Sequence, residues 1–412
     1  MDHTDRHQKI YKKRRRTKER LLGDPLYKRV LKSFETLARS LSINLFRVML
    51  GVRPMKLPLD FDTIKSVLII RNDAIGDMVL STPLWHVIKQ RFPHITIGVV
   101  GSFRNLSVIE QDPSVDLRFD CSLDDFKHIR NARREVRKHS WDLVLPLIYS
   151  KKTKMSVLAH QLAPKTPVSM ILMFADPSDR YQKLFEGVVR SPVEISKTTM
   201  TELIKNHLAL TAGIEISNEE WQQHLYPRQE SLDRMHTALA KIMEEDGTIG
   251  CIHVNLEAKN AEREYGLPGS YEVSRKLTEQ MPKHSIIWTS SPVSSKAALE
   301  YLRAHPANHI HFVPTQNIHD LIAIVRFCDM VITPDTSVIH IAAAERKPVV
   351  GLYPRVSEWP PLNVPAILLT PVYGDPLATI PVDWVVDSAL ELLNSATTEH
   401  PEIRWRHMES VS

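Results

Sequence analysis

The apolar residues of this chain fall into short unbroken runs separated by stretches of helical spacing, and the two alternate along most of its length. Val67-Leu68-Ile69-Ile70 is the first such run. A continuous apolar tetrad lacks the alternation of a half-exposed strand, so it predicts a strand buried on both faces of a parallel sheet. Leu84, Val87, Ile88 and Phe92 then recur at helical spacing. Ile95–Gly101, Val115–Phe119 and Asp142–Ile148 predict further strands, with a charged helix around Asp124 to His139. The stretch Lys151 to Ser196, rich in Pro, Ser and Lys, reads as loops. A helix at Thr201–Ala212 and the segment up to Glu245 lead into a second series. There the strands are Ile249–Val254, Ser285–Trp288, His311–Val313 and Met330–Thr333, with helices at Ser294–Leu302 and Ile318–Phe327. Two βαβ series predict an α/β protein with two doubly wound parallel-sheet domains facing a cleft, residues 60–225 and 226–412.

Residues 1–59 precede both series and differ in kind. They hold 16 Lys and Arg against five acids, a net +11; with +5 for the whole chain, the remaining 353 residues carry −6. Lys12-Lys13-Arg14-Arg15-Arg16-Thr17-Lys18 is a block of like charge. Leu31, Phe34, Ala38, Leu41, Leu45 and Val48 follow at three- and four-residue spacing, which predicts an amphipathic helix. A basic tract beside such a helix suits an anionic membrane surface; the competing reading packs the helix on the protein's own body. Nucleic acid is not expected as a partner, since the extension has few aromatics for stacking and no reading motif.

Composition is that of a globular protein, 43% apolar and 25% charged over 412 residues. No run of 18 apolar residues occurs, so no spanning helix is expected. Cys121, Cys251 and Cys328 are odd in number and widely spaced, which predicts no disulfide framework, no metal site and a reducing, cytoplasmic setting.

Two loops carry candidate chemistry. Met330–Thr333 runs into Pro334-Asp335-Thr336-Ser337-Val338-Ile339-His340 and then Ala342-Ala343-Ala344. A strand feeding a helix start presents backbone N–H groups and the positive end of the helix dipole, with hydroxyls at Thr336 and Ser337 and with His340 one turn on. That suits a phosphate or diphosphate; the plainer reading of Asp335 or Thr336 is an N-cap. The other loop is Arg71-Asn72-Asp73-Ala74-Ile75-Gly76-Asp77, also between strand and helix. Asp77 lies where open α/β sheets bind ligands, or serves only as a first-turn acid. A nicotinamide site would need Gly-x-Gly-x-x-Gly, and a P-loop its own glycines; neither loop has them.

Taken together, the two loops resemble glycosyltransferase family 9, the lipopolysaccharide heptosyltransferases, whose members carry Arg-x-x-x-x-Gly-Asp and Asp-Thr-Gly-x-x-His-x-Ala-Ala-Ala. Arg71 to Asp77 and Asp335 to Ala344 match these motifs, and the likeness runs from about Ile64 to about Leu393. The resemblance implies a GT-B architecture and inverting, metal-independent sugar transfer without a cofactor. It implies Asp77 as general base and Arg71 and Asn72 as acceptor-positioning residues. It implies Lys259, Arg263, Asp335, Thr336, Ser337 and His340 around a nucleotide-sugar donor, by default ADP-heptose. The acceptor would be a lipid-linked or envelope glycan, engaged in part by loops of 151–196, with the enzyme in the cytoplasm or peripheral on the inner membrane.

The chain departs from the pattern in places. Ser337 stands where the family has Gly, Arg263 where it has Lys, and Trp288-Thr289-Ser290-Ser291-Pro292 lacks its Gly-rich turn. A sugar-nucleotide epimerase on the same fold and a non-catalytic glycan-binding relative are the alternatives.

Overall fold

The computed structural model describes residues 41–122, 126–149, 152–172, 179–192, 198–258, 261–357, 359–394 and 402–408. Lys259, the basic tract 12–18, and Leu31, Phe34 and Ala38 lie outside them.

In chain order the strands are β1 (Ser66–Ile70), β2 (Thr96–Gly101), β3 (Leu117–Asp120), β4 (Leu143–Pro146), β5 (Ser169–Leu172), β6 (Gly187–Arg190), β7 (Gly250–Asn255), β8 (His284–Thr289), β9 (Ile310–Phe312), β10 (Met330–Pro334), β11 (Val349–Leu352), β12 (Ala366–Thr370) and β13 (Ile403–His407). The helices are α1 (41–50), then α2 (Ile75–Arg91), α3 (Phe103–Leu106), α4 (Phe126–Val136), α5 (Lys152–Leu162), α6 (Met200–Ala212), α7 (Gln229–Asp246), α8 (Leu267–Gln280), α9 (Ser295–Ala304), α10 (Ile318–Phe327), α11 (Ser337–Ala344) and α12 (Val382–Asn394). Every strand pair described is parallel. The α/β class with parallel sheets, read from the apolar runs, is the one observed.

The chain divides into two compact units. The first comprises the described residues within Met1–Ile70, Arg133–Thr198 and Asn206–Ile214. In it β1 pairs with β4, β5 pairs with β6, and a single bridge joins Val144 to Val168. The described residues between Lys151 and Ser196 therefore include a helix and two strands where loops were expected. Met155, Leu158, Ala159 and Leu162 repeat at helical spacing and are buried, making the inner face of α5. Lys154 is exposed on α5, and Pro164, Lys165 and Pro167 lie between α5 and β5, whereas Ser156 and Ser169 are buried within these two elements.

The second unit comprises Arg71–Ala132, Thr199–Lys205 and Glu215–Ser412. It contains the β2–β3 pair and a seven-stranded sheet in the order β13-β12-β11-β10-β7-β8-β9. From β7 the chain moves outward through β8 and β9, then returns to β10 and moves the other way. The order reverses between β7 and β10, and at such a reversal the connections leave in opposite directions and open a crevice at the strands' carboxyl ends. Buried side chains from β7, β8, β10, β11 and β12 and from α8 and α12 form one apolar cluster that fixes this sheet. Cys251 on β7 and Cys328 before β10 come within 3.1 Å, sulfur to sulfur, as free thiols, although 77 residues separate them.

Candidate active site

Both motif loops belong to the second unit. At the β10 end, Pro334 closes the strand and Thr336 takes extended backbone angles as the N-cap of α11. Its hydroxyl oxygen accepts the Val338 N–H at 3.2 Å, so the capping reading holds for Thr336. The same oxygen accepts a 3.3 Å hydrogen bond from Asn255 Nδ2 and lies 3.2 Å from the Thr333 hydroxyl. Asn255 also donates to Thr333 Oγ1 at 3.0 Å and to the Glu257 carbonyl at 3.0 Å. One amide thus ties the end of β7 to the end of β10 across the reversal point. Ser337, half-buried, opens the helix itself.

Asp335 is not the cap. Arg263 Nη2 donates to its carboxylate and, at 3.0 Å, to its carbonyl oxygen. Burial raises the Asp335 pKa above the ordinary carboxylate value, and the Arg263 charge opposes that rise. Arg263 Nε is buried and unpartnered, so the guanidinium keeps a donor turned inward.

The Arg71–Asp77 loop is organised from within. Arg71 is fully buried beneath it. Its Nη2 lies 3.0 Å from Asp77 Oδ1, its Nη1 3.3 Å from Asp73 Oδ2, and its Nε donates to the Asp77 carbonyl at 3.0 Å. Asp77 Oδ2 accepts the Ala74 N–H at 3.3 Å, half of a capping box, and the Ser81 hydroxyl donates to its carbonyl at 2.8 Å. Asn72 donates through its side chain to the Cys121 carbonyl. Asn105 donates to the Arg71 carbonyl at 2.8 Å and accepts the Ser102 N–H at 2.8 Å. Arg71 and Asn72, expected to meet an acceptor, have their side chains engaged by the protein: Arg71 holds the Asp77 carboxylate in place, and Asn72 ties the loop to the Cys121 carbonyl.

The two loops come together where α2 packs on α11. Gly76 sits against the His340 ring and the Ser337 backbone, where a Cβ would be 2.7 Å from His340 Cδ2. His340 is buried, and burial lowers its pKa to about 4, the nearby Asp77 charge opposing and Arg71 adding to the shift. At neutral pH it is an uncharged imidazole whose Nδ1 has no partner. It offers a hydrogen bond rather than a charge.

Of the nine site residues expected from sequence, eight lie among the described residues, all in one unit around these two turns; Lys259 lies outside them. Sequence reading did not name Asn255 or Asn105. Asn255 carries a signal only once β7 and β10 are known to be neighbours.

Residues 190–370 match the family model described as glycosyltransferase family 9 (heptosyltransferase). The lipopolysaccharide core heptosyltransferase OpsX of Haemophilus influenzae is 21% identical over 304 residues, 72% of this chain and 81% of that protein. The crystal structure of the glycosyl transferase family 9 from Veillonella parvula superposes with a TM-score of 0.68 at 18% identity, covering 83% of this chain and 99% of that one. E. coli heptosyltransferase WaaC with ADP-2-deoxy-2-fluoro heptose gives 0.62 at 12% identity, covering 79% and 99%.

Proposed function

We propose that the chain is a glycosyltransferase of family 9 and that it moves a heptose from ADP-heptose to a lipopolysaccharide-type, lipid-linked acceptor with inversion. The observation that carries the reading is the packing of Gly76 on His340 and Ser337. Through it, the turn bearing Asp77 and the amino end of α11 lie side by side, a carboxylate next to an anion-binding helix start. The nucleotide in the WaaC complex is consistent with an ADP-linked donor.

In the displacement, the acceptor hydroxyl oxygen bonds to the anomeric carbon from the face opposite the diphosphate, and its proton passes to Asp77. The bond between the anomeric carbon and the diphosphate oxygen breaks, and the nucleoside diphosphate leaves with the electron pair. Asp77 already accepts from Arg71 and the Ala74 N–H. A carboxylate has about four lone-pair positions, so room remains for the acceptor proton. Charge gathering on the leaving diphosphate is met by the dipole of α11, the Ser337 hydroxyl, the Arg263 guanidinium, Lys259 and the neutral His340 ring. Asp335, held by Arg263, would take a sugar or ribose hydroxyl. With the cationic role filled by side chains and helix dipole, transfer should survive metal chelation. A cytoplasmic setting agrees with the three free cysteines.

The test is transfer of heptose from ADP-heptose to a heptose-free core acceptor, followed by mass spectrometry of the product, with Asp77→Asn alongside. The variant should lose about 10²–10⁴-fold in turnover at saturating substrates while ADP affinity stays within about twofold. Most of the turnover retained in a variant that still melts cooperatively would sink the assignment of Asp77. Epimerised nucleotide sugar formed without acceptor would point to the epimerase instead.

A further inference from the structure

Helix α1 has two apolar faces, and only one is covered. Ile43 is 3% exposed, and Asn44 accepts a 3.1 Å hydrogen bond from Lys183 Nζ; these hold the helix on the first unit. Leu41, Leu45, Val48 and Met49 are 60%, 60%, 77% and 70% exposed. Their spacing of four, three and one residues puts them on a single helical face. The other exposed large apolar side chains described, such as Phe103, Ile249, Val293 and Tyr373, stand singly along the sequence, and single exposed apolar residues are ordinary for a protein surface. The stripe read from sequence (Leu31, Phe34, Ala38, Leu41, Leu45, Val48) therefore continues, in its described part, along the uncovered face.

We infer that this face docks on an anionic lipid bilayer. Charge selects the occupant. Residues 1–59 carry +11 against −6 for the rest, and Arg53 and Lys56, just beyond the helix, are exposed. A second copy would bring one strongly cationic arm against another, and repulsion opposes that contact. A protein partner usually meets an anchor of Trp, Tyr or Arg at the centre of its interface; the described part of this face consists of Leu41, Leu45, Val48 and Met49. Aliphatic side chains that sink to the acyl boundary while neighbouring cations stay among anionic headgroups account for both halves of the pattern. The inference stands apart from the identity of the donor sugar.

The experiment uses the full chain and vesicles of 30% phosphatidylglycerol in phosphatidylcholine, with pure phosphatidylcholine vesicles as the second probe. The protein should co-sediment with the anionic vesicles, at least about tenfold more weakly with the neutral ones, and about tenfold more weakly at 0.5 M salt. Leu45→Glu with Val48→Glu, both at exposed positions, should lower anionic binding at least about tenfold with an unchanged melting temperature. Transfer to a soluble acceptor should be unaffected, which separates this outcome from failure of the proposed reaction. Equal binding by the double variant, or equal binding of the native chain to both vesicle types, overturns the inference. So does a dimer that the double variant abolishes with vesicle binding intact. A melting temperature lowered by several degrees with vesicle binding retained would show the face covered by the chain itself, and overturns it too.

Discussion

Gly76 and His340 are in contact where α2 crosses α11: a methyl group built on Gly76 would lie 2.7 Å from His340 Cδ2 and 3.3 Å from the Ser337 Cα. The glycine is in ordinary helical backbone, so its role is space rather than conformational freedom. Its missing side chain lets the Asp77 turn approach the Thr336 turn.

Gly76→Ala should therefore destabilise the protein although it improves helix propensity. Propensity favours Ala by about 1 kcal/mol, while overpacking a close helix contact costs about 1–3 kcal/mol. The steric term wins because one neighbour is backbone, which cannot rotate away. Thermal melts should show a lowered melting temperature, and His340→Ala in the same chain should return part of the loss. Equal melting temperatures for Gly76→Ala and the native protein would contradict the close packing.

His340 gives a pH signature. Its pKa falls from 6.5 to about 4 on burial. A histidine lowered by folding stabilises fully above its unfolded value. The fold loses that contribution as pH drops through 6.5 toward 4, because the unfolded chain takes the proton first. The shift corresponds to about 3 kcal/mol at the acid end. His207 and His253, also buried and lowered to about 3, add to the native slope. Urea melts from pH 7 to pH 4.5 should show a shallower decline for His340→Gln than for the native chain. Parallel curves would mean that His340 titrates near its ordinary value.

Asp335 and Arg263 carry a signature of the opposite sense. Folding raises the Asp335 pKa, so the ionised form is disfavoured by the fold; that cost is absent below about 4 and grows as pH rises. Asp335→Asn should therefore compare more favourably with the native protein at pH 7 than at pH 4.5. Arg263→Ala removes the counter-charge and should cost about 1–2 kcal/mol at pH 7, less at low pH, since the pair is partly exposed. Calorimetry should also find ADP bound more weakly by Arg263→Ala. Unchanged affinity would separate Arg263 from the diphosphate site.

Much of this could be read along the chain. Buried parallel strands leave unbroken apolar runs, so 67–70 and 330–333 were visible as strands, and helix 318–327 was placed residue for residue. What depends on distant partners left no local trace. Asn72 reaches a carbonyl 49 residues on, Arg263 an acid 72 residues on, and Asn255 a threonine 78 residues on. Periodicity says which face of an element is buried, not which polar groups meet there. The motif spacing identified Asp77 and His340, but not that Gly76 is what joins them. β12 and β13, which extend the large sheet past β11, and the helix α12 between them lie beyond the last strand read from the apolar pattern.

Asn255 offers the sharpest test of the crevice between β7 and β10. Its amide nitrogen donates to three oxygens, Thr333 Oγ1, Thr336 Oγ1 and the Glu257 carbonyl, from a buried position. Ala at this site removes the Asn255 donor from all three and leaves Thr336 Oγ1 with only the Val338 N–H, which costs about 1–3 kcal/mol. Asp is nearly isosteric, yet it should be worse. The threonine hydroxyls can turn to donate to a carboxylate, but the Glu257 carbonyl cannot, and two acceptors would face each other in a dry site. The added negative charge would also lie beside the amino end of α11, where the diphosphate is proposed to bind, and would repel it. Melting temperature and ADP affinity should both fall in the order native, Asn255→Ala, Asn255→Asp. If Asp binds ADP as well as Ala does, the diphosphate does not sit over this end of the sheet.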